Sequence, residues 1–325
     1  MQRTDENALN VLVTIDTEVW CDGWQDLDAK FPDAFRSHIY GSTANGDYGL
    51  PFQLKVLNDN GQRAVYFVEP LFATRFGIAP LEEIVGLITE AGQAVELHLH
   101  TEWVDEAITP IFPQVREKRQ HIRYFSFEEQ CVLLNRAIRL MQDAGAGRLH
   151  AYRAGSFGAD NTTLRALATT GIGIDSSLNT TAEPCGIEAP TTLRQAAMLE
   201  GVLEVPMSTF TDGIGKQRPA QLTACSFPEM KAALNDALRL HWNLFVILSH
   251  SFELLNDSKT RKNSIVVRRF VRLCEYLAKN RDRFPTIDFS SPLMTPYHLG
   301  EAGELKCPTP PTLGRLIEQA WSRIQ

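Results

Sequence analysis

Short apolar runs alternate with amphipathic segments along most of this 325-residue chain. Short apolar runs bounded by polar residues are typical of buried strands, whereas the longer amphipathic segments repeat their apolar residues at helical spacing. Strands are predicted at Val11–Asp16, Ala64–Glu69, Ala94–His100, Leu149–Arg153, Ile172–Asp175, Val202–Pro206 and Phe245–His250, with a weaker eighth candidate at Thr286–Phe289. Helices are predicted near Leu50–Asn58, Pro80–Ala91, Phe127–Ala144, Thr162–Thr170, Pro228–Trp242 and Ser264–Asn280.

This repeated strand–helix–strand order predicts an α/β fold with a mostly parallel sheet, either doubly wound or closed into a barrel. The first strand is not followed by GxGxxG, and no GxxxxGK[ST] loop occurs, so two common nucleotide-binding folds lack their signatures. No internal repeat or low-complexity linker is present. We predict one main domain over residues 1–300 and an extension over residues 301–325, with a weak boundary near Pro292–Pro311 and one packed helix at Leu313–Ile324.

The composition argues against several partners and compartments. A net charge of -7 gives no broad basic surface, so nucleic acid is not an expected partner. No run of eighteen apolar residues occurs, and Met1–Asn10 has no apolar stretch behind a positive start, so we predict a cytoplasmic protein without a membrane span. The six scattered cysteines are then expected to be reduced, mostly buried thiols.

Polar side chains stand at the carboxyl ends of the predicted strands, the end where α/β folds carry their active sites. These residues are Asp16, Glu18, His98, His100, Arg153, Asp175 and His250. Two long segments, Val19–Tyr48 and Thr101–Phe125, follow strands, and loops of this length are usually functional. They contain Trp20, Trp24 and Trp103, whose ring faces suit sugar rings.

Two pairs of these residues have the spacing of a metal site. His98 and His100 project from the same face of a strand, so together they offer zinc or a similar ion two nitrogen ligands. Asp16 and Glu18 have the same spacing and offer one carboxylate ligand and one base. Glu18, His98 and His100 would complete the three-ligand set of a hydrolytic site. The alternatives are separately hydrogen-bonded histidines and an acid that only caps a helix or loop.

His250 and Arg153 each allow two interpretations. His250 ends a six-residue apolar strand and is placed to act as a general acid, although a buried structural histidine is the alternative. Arg153 is either part of the site or a structural ion-pair partner of Asp175.

Five segments carry more specific patterns. They are Val13–Glu18, Gly61–Val68, Glu96–Thr101, the run Tyr152–Gly158 with Thr163–Leu167 and Ile174–Ser177, and Val246–Ser251. In this order they resemble the motifs of the NodB-like polysaccharide deacetylases, from about residue 11 to residue 251. The family patterns are T-F-D-D, G-x-x-A-T-F-F-V, E-I-G-x-H-[ST], F-R-x-P/G-x-G with D-S-S, and a final strand that ends in histidine.

The resemblance departs from the family at two positions. The family carries a second metal-binding histidine four residues after the first, where this chain has Val104. His98 or Glu102 are the candidates to replace it. The second carboxylate of the first motif is Glu18 rather than aspartate, and its longer arm changes the position of the metal.

The resemblance implies a distorted (β/α) barrel that binds a divalent ion, expected to be zinc, through Glu18, His98 and His100. It also implies that Asp16 is the base, that Arg153 fixes Asp16, that His250 protonates the leaving amine, and that Asp175 lies behind them. The substrate would carry an N-acetyl or similar N-acyl group on an amino sugar, in surface polysaccharide metabolism. Alternatives are a cyclic-amide hydrolase of the allantoinase-like branch and a degenerate barrel that binds carbohydrate without hydrolysis. The basic stretch from Lys259 to Arg272 is either a solvated helix face or a docking site for a diphosphate.

Overall fold

The computed structural model describes residues 8–115, 117–183, 185–291 and 302–322. The strands of this part of the chain are β1 (Asn10–Thr17), β2 (Ser42–Thr43), β3 (Gly46–Asp47), β4 (Ala64–Val68), β5 (Ala94–Leu99), β6 (Ala151–Ala154), β7 (Ile174–Asp175), β8 (Ala197–Leu199), β9 (Val202–Glu204), β10 (Thr209–Thr211), β11 (Gln217–Pro219), β12 (Leu244–His250) and β13 (Leu305–Lys306). The α-helices are α1 (Leu27–Phe35), α2 (Leu50–Asp59), α3 (Ala73–Phe76), α4 (Ala79–Glu90), α5 (Phe127–Asp143), α6 (Asn161–Thr170), α7 (Phe227–Arg239), α8 (Ser264–Lys279) and α9 (Thr309–Ser322).

An eight-stranded sheet in the order β12-β1-β4-β5-β6-β7-β9-β8 forms the centre of the fold. Every neighbouring pair is parallel except β8 and β9, so helical crossovers join most of the strands. The chain after β9 returns to the outer edge of β12, where Ser208 Oγ accepts a hydrogen bond from Val246 and Ala220 from Leu248. The sheet is therefore curled into a half-barrel, which confirms the predicted distorted (β/α) barrel.

Alternate residues of the strands face two separate apolar cores. Val11, Val13 and Ile15 of β1 point outward into the large core between the sheet and the helices. Leu12 points inward to a smaller core with Val65, Phe67, Val246 and Leu248. Because the same inward face continues to the carboxyl ends of the strands, polar residues two or four positions further on also point into the barrel.

The structure corrects the predicted eighth strand. Thr286–Phe289 is not a strand, since Thr286 forms only an isolated parallel bridge with Val11 before Asp288 accepts hydrogen bonds from Ser290 and turns the chain. In the central sheet the sequence analysis missed β8, which pairs with β9 through a two-residue turn. Both turn residues, Glu200 and Gly201, have positive φ (47° and 89°), as such tight hairpins require. The short strands outside the central sheet, β2, β3, β10, β11 and β13, were not predicted either. The other predicted strands and helices are present with shifted ends.

The described C-terminal residues pack closely against the rest of the chain. β13 extends β10 and β11 into a three-stranded sheet. The helix α9 begins at Thr309 rather than the predicted Leu313. Its buried Arg315 donates hydrogen bonds to Asp212 (2.9 Å) and Glu229 (3.0 Å). The proposed boundary near Pro292–Pro311 lies partly outside the described residues, so the division at residue 300 stays a prediction.

Two further expectations concern the helices and the cysteines. Among the described residues no helix combines the length and the apolar character that a membrane crossing requires. All six cysteines are free, and four of them, Cys21, Cys225, Cys274 and Cys307, are buried.

Candidate active site

Three of the sequence-predicted residues meet at the carboxyl ends of β1 and β5. Glu18 Oε2 lies 2.6 Å from His100 Nε2 and 3.5 Å from His98 Nε2. All three side chains are buried, and one ligand atom from each lies within 4.8 Å of the others. The two imidazoles share a face because β5 runs extended through residues 98 to 100, as their spacing predicted.

Hydrogen bonds fix the orientation of both imidazole rings. His98 Nδ1 lies 2.8 Å from the carbonyl oxygen of Arg153, and His100 Nδ1 lies 3.2 Å from Glu102 Oε2. Each Nδ1 therefore donates its hydrogen outward, so a neutral ring presents the lone pair of its Nε2 to the cluster. Glu18 Oε2 is buried and faces both imidazole Nε2 atoms. Two nitrogens and one buried carboxylate oxygen form a donor set that fits a divalent ion such as zinc.

The electrostatics of the cluster also favour a cation. Burial alone would raise the pKa of Glu18, but the His100 and His98 imidazoles hold it well below its usual range. Burial alone would lower the pKa of His100, but Glu18 and Glu102 raise it well above its usual range. A proton thus collects on His100 opposite a buried carboxylate, and a metal ion could replace that positive charge.

Glu102 and Gly155 support His100 from outside the cluster. Glu102 contacts Nδ1, the ring atom that faces away from Glu18, so the structure places it as an orienting partner rather than beside the three donor atoms. A Cβ atom on Gly155 would lie 2.6 Å from His100 Nδ1. Glycine at this position therefore leaves the space that the ring occupies.

We expect His98→Ala to weaken zinc binding by more than about a hundredfold, because losing even an orienting partner of a ligand typically costs 10–100-fold. The measurement is a chelator competition on purified protein, with circular dichroism to verify folding. His150→Ala is the control, since His150 precedes β6 at the opposite end of the sheet. Unchanged zinc affinity in His98→Ala would remove His98 from the ligand set.

Asp16 and Arg153 form a buried ion pair beside the cluster. Arg153 Nη1 donates to Asp16 Oδ1 (2.7 Å) and to Thr14 Oγ1 (2.9 Å). Its Nε and Nη2 atoms donate to the carbonyl oxygen and Oγ of Ser176 (3.2 Å each), and Phe67 covers the guanidinium at 4.3 Å. Arg153 is thus held on several sides and fixes one oxygen of Asp16, while the described residues donate no hydrogen bond to Oδ2.

His250 faces the same end of the barrel and has its own carboxylate partner. It is paired with Asp16 in the register of β12 and β1. His250 Nδ1 lies 2.8 Å from Glu253 Oε1, and Gln221, Thr223 and Ser249 donate to the Glu253 carboxylate. Burial lowers the pKa of His250, but Glu253, Asp16 and Glu18 raise it to about 9. His250 is therefore protonated at neutral pH.

The structure does not bring Asp175 into this group. Ile174 packs with the inner core, so Asp175, one residue further on, points out of the barrel. It accepts hydrogen bonds from the amide and hydroxyl of Ser177. Burial and Asp175 raise the pKa of the neighbouring Glu204 well above its usual range, so Glu204 is protonated and donates to Asp175. Among the carboxylates of the described residues, Arg153 pairs with Asp16 and not with Asp175.

The two long segments carry short helices, turns and a wall of tryptophans. Trp20 and Trp24 are half-buried and line a cavity of about 400 Å³ with Glu102 and Lys118. The Trp20 ring lies edge-on to His100 at 4.7 Å. Trp103 is buried behind both rings, so it supports this wall but cannot contact a sugar itself.

The sequence analysis missed the partners that hold the site together. Glu253 lies three residues after His250, and this acidic neighbour was a visible signal. Thr14 and Ser176 reach Arg153 from two different strand ends, and no spacing rule links them. Glu69 ends the inward face of β4 and accepts amide hydrogen bonds from Leu71 and Phe72, which marks it as a turn-forming residue.

Comparisons with known proteins give similarity in structure alone. No family model matches this chain, and no curated protein sequence does. A crystal structure of a candidate polysaccharide deacetylase from Mycobacterium smegmatis superposes with a TM-score of 0.54 at 16% identity, covering 86% of this chain and 92% of that one. The chain has the NodB-type deacetylase fold.

Two further solved structures with this NodB-type fold are more distant. A family 4 carbohydrate esterase from Streptomyces lividans, solved with acetate, has a TM-score of 0.40 at 13% identity and covers 92% of this chain and 98% of its own. A pseudoenzyme of the same esterase family from Bacillus anthracis has a TM-score of 0.41 at 12% identity. The match covers 87% of this chain and 65% of the pseudoenzyme. The superposition on the Mycobacterium smegmatis structure confirms, for the fold, the NodB-type resemblance seen in the sequence motifs.

Proposed function

We propose that this protein is a metal-dependent hydrolase that removes an N-acetyl or similar N-acyl group from an amino-sugar-containing substrate, in surface polysaccharide metabolism. One observation carries the proposal. The Glu18–His98–His100 cluster shares the end of the barrel with a fixed carboxylate, Asp16, and a protonated histidine, His250. A metal donor set, a base and an acid are the three parts that amide hydrolysis at neutral pH requires.

Each group has a distinct role in this proposal. Glu18, His98 and His100 hold the divalent ion, which we propose is zinc and which supplies a positive charge that polarises a carbonyl and acidifies water. Asp16 accepts the proton of the attacking water on Oδ2, while Arg153 holds Oδ1. His250 donates its proton to the departing amine nitrogen, and Glu253 keeps the imidazole protonated and oriented. Asp175 acts only indirectly, through Ser177, whose hydroxyl accepts a hydrogen bond from Ala154 beside Arg153.

The tryptophan cavity supports a sugar as the substrate. Trp20 lines this cavity and lies edge-on to the His100 ring at 4.7 Å, so a sugar bound there would lie one aromatic ring away from the metal-ligand cluster. Aromatic side chains offer apolar area at little entropic cost, and Glu102 and Lys118 add polar groups to the lining.

The main rival is a degenerate barrel that binds carbohydrate without turning it over. This rival is motivated by Val104, which stands where the family has its second metal-binding histidine. However, His98, two residues before His100, supplies a second imidazole to the cluster. A protein that only binds has no need for a buried Asp16–Arg153 pair together with a protonated His250. Several hydrogen bonds to these groups argue that their positions are maintained for chemistry.

One measurement tests the proposal against both alternatives. Zinc content and acetate release from an N-acetylated chitooligosaccharide are measured on the same sample, with allantoin as a second substrate. We expect about one zinc per chain and acetate release that stops when a chelator removes the metal. Metal-loaded protein that binds the oligosaccharide without releasing acetate would support the degenerate barrel. Turnover of allantoin alone would support the cyclic-amide branch.

We expect Glu253→Gln to shift the alkaline limb of the kcat/KM profile to lower pH. Glu253 raises the pKa of His250, whereas burial lowers it, so removing the negative charge lets the pKa fall from about 9. The acid is active only when protonated, and activity would therefore be lost at a lower pH than in the wild type. Glu90→Gln, at an exposed helix end, is the control. An unshifted limb in Glu253→Gln would show that another group sets it.

A further inference from the structure

A strip of basic side chains follows β12 along the loop and the first half of α8. We call Lys259, Arg261, Lys262, Arg268 and Arg272 the basic track. Four of its members line two adjoining cavities of about 310 Å³ and 490 Å³, which share Lys262 and Ser264. Glu275 is the single acidic residue that lines either cavity. This concentration of positive charge occurs in a chain whose net charge is -7.

The basic track lacks the ion-pair partners that neutralise many other surface arginines. Arg165 pairs with Glu200 and Arg239 with Asp236. Within the described part of the chain, Arg268 and Arg272 pair with no carboxylate. They lie four residues apart on one helix, where like charges destabilise the helix. Among the described residues, Arg136 and Arg139 of α5 are unpaired as well, so the basic track is distinguished by the two adjoining cavities that its members line and that leave room for an anionic ligand.

The basic track starts close to the candidate active site. Lys259 Nζ lies 5.5 Å from the centre of the Phe252 ring, and the Phe252 and His250 rings are also 5.5 Å apart. Lys259 has a left-handed φ of 55°, which is unfavourable for a side-chain-bearing residue. Asn256 holds the loop in this shape, since its Oδ1 accepts hydrogen bonds from the amides of Thr260 and Arg261. The loop therefore presents a cation beside the aromatic neighbour of His250.

Side chains, and not free helix amides, form the basic track. Asn263 caps α8 and accepts hydrogen bonds from the amides of Ile265 and Val266. A ligand would instead meet guanidinium groups, which bind carboxylates and phosphates through paired hydrogen bonds.

We propose that the basic track binds anionic groups, carboxylate or phosphate, carried by the same glycan whose N-acyl group is placed at His250. This inference rests on the proposed function and specifies an acidic glycan as the substrate class. The positive charge continues from Lys259 beside the site to Arg272 on α8, so anionic groups several sugars from the N-acyl group would still contact it. In a chain with a negative net charge, this local positive field favours the binding of anionic over neutral glycans.

The experiment is a calorimetric titration of the zinc-loaded 325-residue chain with tetragalacturonate, with inorganic pyrophosphate and with neutral chitotetraose. The variant is R268E/R272E. The matched control is R136E/R139E, which makes the same charge change at two exposed arginines of α5. We expect R268E/R272E to weaken the affinity for an anionic probe at least roughly tenfold and the control less than about twofold, with a salt-sensitive wild-type affinity.

Loss of tetragalacturonate binding assigns a carboxylated glycan, and loss of pyrophosphate binding alone assigns a phosphorylated one. Equal affinities of the wild type and R268E/R272E for both anions would overturn the proposal, as would equal losses in the control. Tighter binding of a DNA oligonucleotide through the same arginines would overturn the glycan assignment. Calorimetry needs no turnover, so an inactive protein that binds through the basic track refutes only the deacetylase function.

Discussion

Asp16→Asn is expected to lower turnover of an N-acetylated sugar by roughly a hundredfold to ten-thousandfold, because a neutral amide cannot accept the proton of water. Asparagine keeps the shape of the side chain, and its carbonyl oxygen can still accept the hydrogen bond from Arg153. Zinc content should stay at the wild-type level, since Asp16 is not one of the three clustered donors. The measurements are acetate release, elemental analysis and the melting temperature of the same preparation.

Glu18→Gln provides the opposite result in the same experiment. It should lose zinc first and activity as a consequence, because it removes the anionic member of the donor set. Asp143→Asn, at the exposed end of α5, is the matched control for a lost surface carboxylate. Metal-free Asp16→Asn protein would mean that the ligand and the base among these two carboxylates are interchanged.

His250→Ala is expected to cripple cleavage of an N-acetyl sugar far more than cleavage of an activated aryl acetate. An amine leaves poorly unless it is protonated, whereas an activated phenol leaves without a proton. The raised pKa of His250 keeps the imidazole protonated at neutral pH, and alanine has no proton to donate. We expect the amide to lose about a hundredfold or more in rate. Zinc content should not change.

The ratio of the two losses decides how this result is read. Equal losses on the two substrates would indicate that His250 is structural, because poor folding or a distorted metal site affects amide and ester alike. No loss on either substrate would exclude His250 as the acid. Glu253→Gln keeps the His250 imidazole but removes the carboxylate that raises its pKa. Comparing the two variants therefore separates the loss of the imidazole from the loss of its proton.

The sequence predicted the fold wherever apolar periodicity was strong. β1 and β12 read as continuous apolar runs because both of their faces are buried in the barrel wall. Ser126 and Glu129 have the S-x-x-E spacing that is typical of a capping box, and this capping box is present at the start of α5. β8 was missed because a three-residue edge strand has no periodicity, and its Glu-Gly turn is not a usual hairpin signal. Thr286–Phe289 was wrongly predicted because its apolar residues pack against the inner core from a non-strand segment.

The sequence also predicted which side chains meet, but not all of their partners. His98 with His100 and Asp16 with Glu18 followed from strand alternation, which is a local rule. The choice of Asp16 over Asp175 as the partner of Arg153 depends on which face of its own strand, β1 or β7, each carboxylate occupies. That face is set by pairing between distant strands, so one residue of register decides it. Trp103 appeared available to a sugar, but its position under Trp20 and Trp24 depends on the fold of the long segments.

The pairing of Arg315 with Asp212 and Glu229 has a consequence for how the chain folds. Asp212 also pairs with the nearby Arg218, but Glu229 and Arg315 are 86 residues apart, so synthesis leaves the buried Glu229 without its cation until α9 follows. An uncompensated charge at such a position costs about 3–5 kcal/mol. The region around α7 therefore cannot reach its final stability while the chain is still growing past residue 229. A nascent protein would therefore reach its final stability only when α9 docks. A truncation or substitution in α9 would lower the stability of the barrel region around α7.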